Sequence, residues 1–259
     1  MPRIKSLGSF LVLSVSIVIA IAICGIILYV MNSSYALALH LEQQSMNQSV
    51  NSLSSSFVAF RENAVALARS IAMQRVFKSA FDGEPSVAQQ RISDTLKADA
   101  NVWSAILFDT NGNIIAGKNA IGEELVGQNR SDRDYFKAIM AGNDLFYGKK
   151  IITARSGGNE MYIYSVAHSI RSSNGQILGG IGIFIRWDSF TASMIDPQKF
   201  GARGYAFMLD SKGDIIAHGA DKTRILSNVS DKAFVQQILA KKNGQLLYTW
   251  QGEDKYLDF

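Results

Sequence analysis

From Phe10 to Met31 the chain runs 22 residues without a charge. At about 1.5 Å per residue such a run covers roughly 33 Å, enough to cross a hydrocarbon core. A secretory signal is the competing reading, because Ala36-Leu37-Ala38 has the small residues of a cleavage site. Signal h-regions, however, usually hold only about 7 to 15 apolar residues. The run therefore predicts an uncleaved membrane helix over 10–31. Arg3 and Lys5 precede it and no Lys or Arg occurs from Met31 to Phe60, which leaves residues 1–9 in the cytoplasm. Everything after about residue 32 is then expected outside, in the periplasm of a Gram-negative cell.

Beyond the run, apolar residues fall at Met46, Val50, Leu53, Phe57, Phe60, Ala64, Leu67 and Ile71, in alternating steps of four and three. That is the 3.5-residue period of a coiled-coil seam. No Pro or Gly occurs from Tyr35 to Ala80, so a continuous stalk helix of roughly 70 Å is predicted, stopped by Phe81 to Pro85. The seam can pack on the chain's own sheets or on a second copy. The expectation is a mixture: a homodimer along the membrane-near half, and packing on the body farther out.

The pattern then turns to strands. After a helix at Ser86 to Ala98 comes a strand at Val102 to Phe108. A helix at Ser131 to Ala141 is expected to be capped by Ser131 or Asp132 and closed by Gly142. Strands follow at Leu145 to Thr153, Glu160 to Ile170 and Gln176 to Trp187, with turns at 156–159 and 173–175, and then a short helix at Asp188 to Met194. A second, shorter set has strands near Gly204 to Asp210 and Asp214 to His218, a helix at Asp231 to Lys241, and strands at Gln245 to Gln251 and Lys255 to Phe259. Two ten-residue phrases mark the sets as related. FDTNGNIIAG (108–117) and LDSKGDIIAH (209–218) share Asp, Gly, Ile, Ile and Ala at matching places, each reading as a β-hairpin around a Gly-containing turn. The fold class is therefore α+β: a transmembrane helix (10–31) continues into a stalk helix (32–82), followed by two PAS-like antiparallel-sheet modules at 83–196 and 197–259. The second is short of its last strands, as in a piece of a longer protein.

Composition narrows the chemistry. The chain has 26 basic and 22 acidic side chains and no basic tract with interleaved aromatics, which argues against nucleic acid as a partner. Cys24 is the only cysteine, and His40, His168 and His218 are scattered, so neither a disulfide nor a metal cluster is expected. Asp109-Thr110-Asn111-Gly112 lacks the glycine position and closing acid of a calcium loop. No nucleophile elbow, P-loop or His-Glu-x-x-His occurs; no cofactor and no enzyme activity are expected.

Taken in order, the apolar run, the stalk, SDRDYFKAIMAG (131–142), LGGIGIFI (178–185), FGARGYAFMLDSKGDIIAH (200–218) and the paired hairpins resemble the double Cache family of extracytoplasmic sensor domains. The resemblance covers roughly Asn32 to the end. It implies the outer part of a chemotaxis receptor, with a sensor histidine kinase or diguanylate cyclase as the alternative. It also implies a small-molecule ligand in the membrane-distal module, a dimer, and a cytoplasmic output domain outside this chain. A membrane-anchored hydrolase or adhesin is a further alternative, opposed by the want of a catalytic cluster.

In amino-acid-binding members of that family an Arg-x-Trp-Tyr segment holds the ligand carboxylate, and Arg133-Asp134-Tyr135-Phe136 is similar to it. A guanidinium presents a planar fork suited to a carboxylate. The alternative for Arg133 is a surface pair with Asp132 or Asp134. The family's Tyr five residues before the Arg is Gln128 here, and its ammonium-holding Asp aligns with Phe184. A buried ammonium without a carboxylate is costly, so a small organic anion is expected instead of an α-amino acid. Lys149 is expected to add a second positive charge, with Tyr162, Tyr164 and Phe184 as walls. The alternatives are a solvated edge strand for Lys149 and Lys150 and plain core packing for the aromatics.

Overall fold

The computed structural model describes residues 7–157, 161–250 and 252–259. Arg3, Lys5, the end of the 156–159 turn, Glu160 and Gln251 lie outside that set. The chain combines one very long helix with antiparallel sheets. Helix α1 (Leu7–Ala72) has 66 residues, about 100 Å at 1.5 Å per residue. Its apolar N-terminal part meets, by length and composition, what a membrane crossing needs, and none of it is buried in the protein.

The stalk helix is shorter than its pattern predicts. It stops at Ala72, and the chain turns at Met73 and Gln74 before α2 (Arg75–Ser79) and a 3₁₀ turn at Ala80–Asp82. Gln74 is extended at ψ 132°, and its side chain accepts a hydrogen bond from Arg91 Nε at 2.9 Å. The break re-aims Phe77, which is completely buried. Packing of one large side chain has overridden a run with no intrinsic helix breaker. Gly83, at φ 103°, ends the fold-back, and α3 (Pro85–Ala98) follows with Pro in its first turn.

The first sheet contains β1 (Val102–Asp109), β2 (Ile114–Asn119), β3 (Leu145–Tyr147), β4 (Ile152–Thr153), β5 (Tyr162–Arg171) and β6 (Ile177–Arg186). Their order is β2-β1-β6-β5-β3, with β4 also on β5. Helix α4 (Asp134–Met140) lies over it. The expected strand at 145–153 is split by Gly148, whose N–H donates to Ser165 O at 2.8 Å; Lys149 and Lys150 sit exposed in the interruption. The two-residue strand period sends alternate side chains to opposite faces. Ala105, Leu107, Tyr164, Val166, Ile183 and Ile185 join a core with Ala64, Val65, Ala68 and Ile71 of α1. Ile106, Phe108, Ile163, Ala167 and Phe184 join a separate core with Tyr135, Phe136 and Ile139 of α4.

Helix α5 (Trp187–Met194) leads to the second set: β7 (Lys199–Phe200), β8 (Gly204–Tyr205), β9 (Phe207–Leu209), β10 (Ile215–His218), α6 (Ala233–Lys241), β11 (Gln245–Trp250) and β12 (Glu253–Asp258). The strand expected at 204–210 is divided at Ala206. Among the described residues these strands pair two by two. The indole N–H of Trp187 donates to Ile216 O, tying α5 to β10. Along α1, Met46, Val50 and Leu53 line a groove of about 290 Å³ against Phe207, Met208 and Leu257, and Asn47 donates to Asp258 Oδ1 at 3.3 Å. The seam thus faces the chain's own strands as far down as Met46, where a subunit contact was expected.

Candidate ligand-binding site

Both hairpins are closed in the same way. Asp109 Oδ1 accepts the N–H groups of Asn111 and Asn113 at 2.9 and 2.8 Å. Asp210 Oδ1 accepts those of Lys212 and Asp214 at 2.8 and 3.0 Å. Asn129 then reaches back to Asn111 O and holds the Ser131 N–H, each at 2.9 Å; Asn228 does the same with Lys212 O and Ser230 N–H, at 3.1 Å each. Gly112 and Gly213 take φ 83° and 81°. A Cβ on them would stand 2.7 Å from Ser131 N and 2.9 Å from Ser230 Cβ. This clamp sets the segment that carries Arg130 and Arg133 over the first sheet.

Ser131 and Asp132 do not cap α4. The Ser131 hydroxyl donates to Asn129 Oδ1 at 2.6 Å, and Asp132 pairs with Arg155, whose Nη1 lies 3.1 Å from Asp132 Oδ1. Arg133 is itself the N-cap residue. Its half-buried guanidinium has no hydrogen-bonded or ion-paired partner among the described residues, so the expected alternative, a pair with Asp132 or Asp134, is not formed.

Two spaces meet at Arg133 and Tyr135. A small cavity of about 30 Å³ is lined by Ser104, Arg130, Arg133, Tyr135, Ser156 and Phe184, among others, with Arg155 at its wall. An open cleft of about 700 Å³ is lined by Asp132, Arg133, Tyr135, Lys149, Lys150 and Ser165, and by Asp210 to Lys212 of the second hairpin. A β-bulge between Val102 and Ser104 turns both Trp103 and Ser104 toward this side, the re-aiming that bulges produce. Ser104, Ser156 and Tyr135 are buried, and their hydroxyls have no partner among the described residues. Burial pushes the Tyr135 phenol up to about 12, against the pull of Arg130, Arg133 and Arg155. Burial, and then the nearby Arg155 charge, draws the Arg133 pKa below its ordinary value. One guanidinium and three hydroxyls without partners among the described residues, gathered on one cavity, suit an anion.

Of the residues singled out in the sequence, Arg133, Tyr135 and Phe184 come together here, and Lys149 lines the outer cleft only. Phe184 packs edge-on against Tyr135, with ring centroids 5.2 Å apart. Gly182 leaves its ring the room, since a Cβ there would meet it at 3.1 Å. Phe136 is instead buried against Phe108, at 5.8 Å. Tyr162 and Tyr164 share a face as expected, but it is the face toward α1: the Tyr164 ring lies 6.0 and 5.5 Å from Phe57 and Phe60. The period of β5 makes Ile163 and Ser165 the residues that face the site. Arg130, Arg155, Ser104 and Ser156 were missed.

The family model described as Cache domain matches residues 36–259. The chain belongs to the Cache domain family. Solved Cache sensors share the fold. The extracellular domain of the putative histidine kinase mmHK1S-Z2 superposes with a TM-score of 0.65 at 16% identity, covering 83% of this chain and 89% of that one. The sensory domain of the Campylobacter jejuni chemoreceptor Tlp3 gives 0.64 at 15%, covering 82% and 86%. The ligand-binding domain of the Pseudomonas fluorescens chemoreceptor CtaA, solved with L-serine, gives 0.61 at 15%, covering 83% and 89%. No curated protein matches the chain by sequence. Cache domains are sensory, ligand-binding modules of chemoreceptors and histidine kinases, and among the described residues no group of three metal-ligating side chains occurs.

Proposed function

We propose that this chain is the extracytoplasmic sensing region of a bacterial transmembrane chemoreceptor and binds a small carboxylate in a membrane-distal module at 83–196. Residues 10–31 cross the inner membrane with 1–9 in the cytoplasm, 32–72 form the stalk with a dimer contact on its part below Met46, and 197–259 belong to a membrane-proximal module. The observation that carries the ligand class is the Arg133 guanidinium, without a partner among the described residues, on a cavity also lined by Phe184. Tlp3 and CtaA were solved with amino acids; here, among the described residues, no carboxylate lines the inner cavity to receive an ammonium. Lys149 and Lys150 raise the local concentration of anions at the mouth.

Strand β5 connects the site to the stalk. Ile163 and Ser165 face the ligand side, and Tyr164 between them meets Phe57 and Phe60 of α1. A ligand that binds one placement of β5 better than another shifts the helix in proportion to that difference in affinity. A histidine kinase is the second reading for the output, favoured by the kinase sensor among the structural relatives. Thermal unfolding of the detergent-solubilised chain against organic acids, amino acids and amines tests the proposal. Stabilisation by acids that vanishes in Arg133→Ala supports it; stabilisation by amino acids alone refutes it.

A further inference from the structure

The cavity holds more cationic groups than one carboxylate needs. Arg130 is buried and already engaged, donating to Gln128 Oε1 and to Asn129 O. Arg133 is free. Arg155 lines the same cavity but turns its fork outward onto Asp132. This pair is the mouth of the site: Asp132 and Arg133 both line the outer cleft, while Arg133 and Arg155 both line the inner cavity. A cavity of about 30 Å³ has room for no more than a few waters, so a metabolite enters only if something at the rim gives way. The Asp132–Arg155 bridge is the part that gives at least expense, because its side chains are 55% and 46% exposed and exposed ion pairs contribute little.

We propose that Asp132 stands in for a ligand carboxylate on Arg155, and that the site takes a small dicarboxylate: one carboxylate on Arg133, the other on Arg155 in place of Asp132. This rests on the reading of the site as a carboxylate receptor and adds to it a second anchoring group and a built-in competitor. A monocarboxylate leaves Arg155 with Asp132 and gains only Arg133. A dicarboxylate satisfies both forks and releases Asp132 to solvent. Tyr135, Ser104 and Ser156 supply hydroxyl donors to the same oxygens.

The test is calorimetric titration of the full chain in detergent with succinate, propionate and inorganic phosphate. Succinate is expected to bind at least about tenfold tighter than propionate, the scale of one added charge-assisted contact. Asp132→Asn, which removes the competitor, should tighten succinate severalfold and leave propionate within about twofold. Arg155→Gln should bring succinate down to the level of propionate, and Arg155→Lys, which keeps the charge but loses the fork, should fall between. Both positions are exposed, and unchanged thermal unfolding confirms that each variant folds. If Arg133→Gln abolishes acid binding while the Asp132 and Arg155 variants leave the succinate-to-propionate ratio unchanged, the dicarboxylate inference fails and the carboxylate reading stands. If Arg133→Gln binds as the parent does, or no acid binds, both fail. Phosphate binding tighter than succinate would assign the site to a compact dianion and overturn the inference.

Discussion

The two hairpin frames are built alike and equipped differently. In each, an Asp closes the turn, a glycine at positive φ lets a serine approach, and an Asn-x-Ser-Asp segment leads into a helix. At the position of Arg130 the second frame has Val229, and at that of Arg133 it has Lys232, which pairs with its neighbour Asp231 at 2.6 Å on the surface. Tyr135 corresponds to Phe234, stacked on Tyr248 at 4.4 Å. The shared residues make the frame. The residues that differ line the proposed anion site, so the second copy serves as an internal control for the first.

That comparison can be broken most severely by transplanting the second frame onto the first. Arg130→Val with Arg133→Lys removes one guanidinium and the fork of the other, and acid affinity should fall about 100-fold or more, since hydrogen bonds to charged groups contribute roughly 1.5–3 kcal/mol each. Titration calorimetry reads this, and an undiminished affinity would mean that the frames do not differ in function. Next in size, Gly112→Ala and Gly213→Ala should each lower stability by about 1–3 kcal/mol, because both force a Cβ into positive φ against a serine. Urea unfolding giving unequal penalties would show that the frames are not equivalent supports.

A smaller effect is expected on the stalk side of the first sheet. The Tyr164 hydroxyl is buried without a partner among the described residues, so Tyr164→Phe should stabilise the chain by about 1 kcal/mol. A loss of stability would indicate a partner for that hydroxyl. The smallest effect concerns the second frame alone. His218 Nδ1 accepts the N–H of Asp221 at 2.9 Å, which requires an unprotonated nitrogen. Burial, then the Arg224 charge, lowers its pKa. Below the unfolded value of about 6.5 the unfolded chain binds more protons. The contribution of His218 is therefore complete above about pH 6.5 and is lost as pH falls through the lower folded value. His218→Asn, which keeps an acceptor, should flatten that slope in unfolding measured across pH 5 to 8.

Periodicity made most elements legible. The 3.5-residue seam, the alternating strands and the hairpin repeat anticipated most of α1, the long strands of the first sheet and both hairpin turns, though α1 ends at Ala72 and the strand expected at 145–153 is split. Two failures have physical causes. The stalk breaks at Gln74 because Phe77 needs the core, a tertiary demand that no local residue advertises. Tyr162 and Tyr164 were placed on one face, but a period of two cannot say which face meets the helix and which the ligand; that depends on where α1 lies. Arg130 was readable all the same. Writing NRSDRDYF (129–136) above NVSDKAFV (228–235) exposes the arginines as the departure from a shared frame. Arg155 could not be found this way, since it reaches the site from a distant loop.

The fold-back at Met73 and Gln74 bears on how motion leaves the sensor. Beyond it the chain doubles under the first sheet and is pinned there by Phe77, so that end of the rod is clamped to the sheet that carries the candidate site. Below it, 66 residues continue without a hinge. Under the proposed function, a twist imposed at the clamped end would meet no joint between Ala72 and Leu7.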